Sequence, residues 1–118
     1  MTERRTNAQI RLPHHRLAAY EVALQLVASV HAAQIRDAKL RDQAMRAAKS
    51  AVLNIAEAAW RVAPLDRARV FGIARGEAME AAAAIEVAVI TGDAAEGALE
   101  ACLPIADRLV ALLTGLCR

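Results

Sequence analysis

Apolar side chains recur at spacings of three and four along most of this chain, and the breaks in that rhythm divide it into four helices. A first helix is predicted over 16–35, where Leu17, Tyr20, Leu24, Val27 and Val30 mark a stripe that Leu26 widens. Pro13 precedes it, a tolerated place because the missing N–H would be unpaired there anyway. The polar run 36–39 breaks the pattern, and a second helix is predicted over 40–62. Its inner face reads Ala44, Ala47, Ala48, Ala51, Ile55, Ala58 and Ala59. Ala63-Pro64 ends it, since a residue before proline disfavours the α region.

A third helix is predicted over 66–90, with Asp66 as a cap or first-turn carboxylate. Phe71, Ala74, Ala78, Ala81, Ala82, Ile85 and Val89 line one side of it. Gly76 interrupts this run, through close approach of a neighbouring helix or through simple drift. Thr91-Gly92-Asp93 reads as a turn with a terminating glycine. The fourth helix is predicted over 94–116, with Leu99, Leu103, Ala106, Val110 and Leu113 inward. Pro104 should kink or divide it. Four such helices with short links predict an all-α, up-down-up-down antiparallel four-helix bundle over residues 14–118. Residues 1–13 read as a flexible basic arm.

Composition changes this picture in one respect. Thirty of the 118 residues are Ala and three are aromatic. Such a core stabilises weakly per residue, so the expectation is a homo-oligomer that buries further surface between copies. Charge is divided along the chain. Residues 1–75 hold 13 Lys/Arg and 6 Asp/Glu, a net of +7, while 76–118 hold 2 and 7, a net of −5. A basic front and an acidic rear suit an anionic partner such as RNA, or pairing between subunits. The amino end reads as having no signal peptide, and no uncharged apolar run reaches the roughly 20 residues that span a bilayer. Cys102 and Cys117 are too few for a disulfide framework, which points to the cytoplasm.

Little in the sequence carries chemistry. His14, His15 and His31 have no spacing that would make a metal site, and no cofactor is expected. Ser29 and Ser50 lack a strained turn or a neighbouring base. Glu57 and Glu80 fall on adjacent predicted helices and could share a site, but structural pairing with Asn54 or Arg61 is the commoner outcome. The expectation is a protein that is not an enzyme and has no small-molecule substrate. Cations crowd two places. Arg4, Arg5, Arg11, His14, His15 and Arg16 lie at the amino end. Arg36, Lys39, Arg41, Arg46 and Lys49 follow the first link. Such groups would contact phosphates without reading sequence. Aromatic stacking platforms are lacking, since Tyr20, Trp60 and Phe71 read as core or interface.

The stretch 47–61 sets Asn54 and Glu57 three residues apart on one helical face. At Asn54-Ile55-Ala56-Glu57 the chain resembles the four-helix-bundle proteins encoded in 23S rRNA intervening sequences. Those proteins read R-R-A-x-S-x-P-S-N-I-A-E-G, then Arg; here the run is Met45 to Ala58, then Arg61. His15-Arg16-Leu17 with Tyr20, Leu40 with Gln43, and Phe71, Ala74, Gly76 and Glu80 match further family positions. Val52-Leu53 replaces the family's Pro-Ser, Ala58 its glycine, and Tyr20 its Trp, so the second helix should be straighter. The resemblance implies a non-catalytic bundle that assembles as a ring, commonly a pentamer. It also implies that Asn54, Glu57, Arg61 and Glu80 form a polar network between helices two and three or across subunits, each with a partner. Related bundles are accessory proteins of diversity-generating retroelements, which leaves an alternative: a scaffold for a reverse transcriptase, without nucleic-acid specificity of its own.

Overall fold

The computed structural model describes Arg4 and residues 6–118. Among them the protein is all-helical, with four helices: α1 (Ala18–Ala32), α2 (Ala38–Trp60), α3 (Pro64–Ile90) and α4 (Glu96–Leu116). Two short 3₁₀ turns, Asn7–Gln9 and Pro13–Arg16, precede α1. α2 packs on α1 and α3, and α4 packs on α3 and α1, so the four surround a common core. The molecule measures 57 × 33 × 22 Å.

Local chemistry explains the helix ends. Asp37 caps α2, its carboxylate accepting the Leu40 N–H at 2.9 Å. Pro64 opens α3 in the first turn, where its missing N–H costs nothing. Gly92 ends α3 in the left-handed region at φ 76°. The N–H groups of Gly92 and Asp93 then reach back to the carbonyls of Val89 (3.1 Å) and Ala88 (2.8 Å). Those two bonds satisfy carbonyls that a helix end leaves unpaired. α4 runs on through Pro104 and is not divided by it.

The core is largely alanine. Among the described residues 26 apolar side chains are buried, and fourteen of them are Ala. α2 turns Ala44, Ala47, Ala48, Ala51, Val52, Ile55 and Ala58 inward. α3 turns Val70, Phe71, Ala74, Ala78, Ala81, Ala84, Ile85 and Ala88 inward. These two share the most extensive seam, because methyl-sized side chains let two helix axes come close. Larger groups fill the centre and ends: Leu26, Ile35, Ile55, Phe71, Ile85, Leu109 and Leu113.

Two inner faces differ from the sequence reading. α1 buries Ala19, Val22, Ala23, Leu26 and Val30, whereas Leu24 is 45% exposed. α4 buries Cys102, Ala106, Leu109 and Leu113, and Leu103 lies at the surface. Both helices carry apolar residues around most of their circumference. Spacing alone then leaves several rotations about the axis that bury an equal number of apolar groups.

Candidate functional site

The expected quartet Asn54, Glu57, Arg61 and Glu80 is split into three separate arrangements within the chain. Asn54 turns back on its own helix, donating to the Ser50 carbonyl (2.9 Å) and hydroxyl (3.0 Å). Arg61 joins two carboxylates: it pairs with Glu57 one turn back and with Asp66 at 2.7 Å, at the start of α3. Glu80 does not meet them. It accepts from Arg46 at 2.7 Å, and Glu77 accepts from the same guanidinium at 3.3 Å.

The reason for the split is burial. Among the described residues no polar or charged side chain is buried. Asn54, Glu57 and Arg61 are half-buried on a face that water reaches, so nothing forces them into one connected network. Asp66 and Glu77 are partners that the sequence reading missed. The short Ala63-Pro64 connection was the available signal for Asp66, because it brings the first turn of α3 back beside the end of α2.

Arg61, Glu57 and Asp66 clamp this turn. Hydrogen bonding to Arg61, then to Arg69, holds the Asp66 carboxyl below its usual range. The Arg61 guanidinium is pushed up by its bonds to Asp66 first and Glu57 second. Trp60 lies beside the same guanidinium, 6.0 Å from ring centroid to Cζ.

The expected phosphate contacts fall into two clusters. They flank the 15-residue α1, hence stand roughly 22 Å apart along its axis. At its amino side, Arg4, Arg11, His15 and Arg16 are exposed; Arg5 lies outside the described residues. Arg11 donates to the carbonyls of Ala8 (3.0 Å) and Ile10 (2.8 Å). His15 accepts the Leu12 N–H on Nδ1 at 2.9 Å. The His14 ring stands edge-on to Tyr20 at 4.5 Å, and burial, then His15, pushes its pKa down.

At the far side, Arg36 and Arg41 hold the links together. Arg36 donates through its backbone N–H to the Asp93 carbonyl (2.9 Å) and through its side chain to the Gly92 carbonyl. Arg41 donates to the Ile35 carbonyl at 3.1 Å. Arg46 is occupied by Glu77 and Glu80, while Lys39 and Lys49 are exposed with no ion-pair partner among the described residues. Guanidiniums engaged by backbone carbonyls keep their charge and further donors for a phosphate; Arg46, held by two carboxylates, is largely neutralised.

Among the described residues no group of three His, Cys, Asp or Glu could hold a metal ion, and no helix is long and apolar enough to cross a membrane. Fold and side-chain arrangement together define a small all-α, four-helix protein whose polar groups serve its own turns and helix seams. The family model of the 23S rRNA-intervening sequence protein matches residues 15–115, and the chain belongs to that family. Among curated proteins, none matches it significantly.

Proposed function

We propose that this protein is a non-catalytic assembly unit of the cytoplasm. Its four helices act as an up-down-up-down bundle, copies of it associate into a ring-like homo-oligomer of pentameric size, and the ring binds RNA through the phosphate backbone. Family membership over residues 15–115 supports this reading. The observation that carries the RNA part is the outward placement of Arg16, Lys39 and Lys49, with Glu77 and Glu80 of α3 engaged on Arg46 instead. Repeated around a ring, two small basic clusters per copy become an extended cationic surface, with affinity set by counterion release rather than base contacts.

A salt-titrated gel shift with structured RNA tests it. Binding should weaken steeply with salt, and Lys39→Ala with Lys49→Ala should reduce the salt slope by about one for each phosphate no longer neutralised, without changing helicity. No shift at low salt would favour the second reading, a scaffold for a nucleic-acid-handling protein such as a reverse transcriptase. The neutralisation of Arg46 favours that alternative.

A further inference from the structure

Two unlike surfaces stand out, and neither is used by the contacts described above. One is the end where α2 passes into α3. Four large apolar side chains are exposed there: Trp60 (63%), Val62 (93%), Leu65 (88%) and, two turns back along α2, Leu53 (68%). Exposed groups of this size in one place mark an interaction surface rather than the scattered apolar residues of an ordinary exterior. The Arg61 clamp holds the turn, so little ordering remains to be done on binding. Arg61, Arg67 and Arg69 accompany it against two carboxylates, Glu57 and Asp66, leaving the end basic.

The other is a groove of about 580 Å³ between α1 and α4. Small side chains line it, among them Ala28, Ala32, Ala98, Ala101 and Gly97, together with Ile105. Exposed Glu96 and Glu100 neighbour Gly97 and Ala101, and exposed Glu21 lies one helical turn before Gln25; these three carboxylates outnumber the exposed Arg108 of α4. The groove is therefore concave, apolar and acidic at its rim. Ile73, Met79, Val87 and Ile90 are also exposed along α3, but Glu77, Glu80 and Glu86 share that helix, so this face lacks the basic character of the α2–α3 end.

We infer that the apolar α2–α3 end of one copy docks in the α1–α4 groove of the next copy. Bulk meets space and cation meets carboxylate. Two ends facing each other would oppose like charges, and two grooves facing each other would enclose an unfilled void. The contact is head-to-tail, the type that generates rings when its rotation closes. It rests on the homo-oligomer proposed above and names the faces that build it.

Light scattering on two variants tests this. Trp60→Glu with Leu65→Glu alters the end, and Ala101→Arg fills the groove; all three positions are exposed, so circular dichroism should show unchanged helicity. Each variant alone should fall to the 12.6 kDa of one copy. An equimolar mixture should recover a species of two copies and no larger, because only one good end and one good groove remain. A wild-type oligomer that survives both variants overturns the inference and leaves the ring standing, as does a mixture that stays monomeric at concentrations where the wild type is assembled. A monomeric wild type overturns the ring and the inference together. A monomeric wild type that binds anionic phosphatidylglycerol vesicles, with binding abolished in the Trp60/Leu65 variant, assigns the end to a lipid surface instead.

Discussion

At the residue scale the decisive group is Arg61. It is the only side chain named in the family resemblance that spans two helices at the α2–α3 turn, through Glu57 and Asp66. Asp66 is the member with a useful titration. Its folded pKa lies below the unfolded value, so its contribution is complete above the ordinary carboxylate pKa of about 4 and is lost as pH falls through the depressed folded value. Asp66→Asn should therefore melt below wild type at neutral pH, and the gap should close as the pH drops below about 4. Thermal melts by circular dichroism at stepped pH would show it; a gap independent of pH would mean that the carboxylate charge contributes nothing.

At the element scale the link between α1 and α2 holds backbone strain. Gln34 adopts φ 46°, a left-handed conformation that glycine takes at no steric cost. The turn is kept because it drives Ile35 into the core, where 2% of its surface remains exposed. Gln34→Gly should release that strain and stabilise the protein by about 1 kcal/mol, less the entropy that glycine adds to the unfolded chain. A shift in the denaturation midpoint at unchanged slope would check this. The corresponding turn after α3 already has Gly92 at φ 76°, and Arg36 ties the two links together through Gly92 and Asp93.

At the scale of the whole molecule, alanine sets both the closeness of the helices and the weakness of the core. A buried Ala withdraws far less apolar surface from water than a buried Leu or Phe, whose burial is worth about 1.5–3 kcal/mol. A single copy is thus expected to be marginal, and association to add stability by mass action. The melting temperature should rise with protein concentration over two decades, measured by calorimetry. A melting temperature that does not move would mean that one copy stands alone.

Helix number, order and approximate ends were legible from local signals. Ala63-Pro64, Thr91-Gly92 and the polar 36–39 run act within a few residues, and the helices break at those places. Ile55 and the alanine face of α2 were also legible, because α2 has polar residues opposite. Leu24, expected inward, is exposed, and Trp60, expected in the core or an interface, lies outside the core of the single copy. In chains with alanine on every side, the choice of buried face is made by neighbouring helices rather than by periodicity. The division of the quartet, Arg46 reaching Glu77 and Glu80, and the strain accepted at Gln34 all depend on which side chains the packing brings within hydrogen-bond reach. Those distances belong to no local stretch of residues, so they arise when the helices meet.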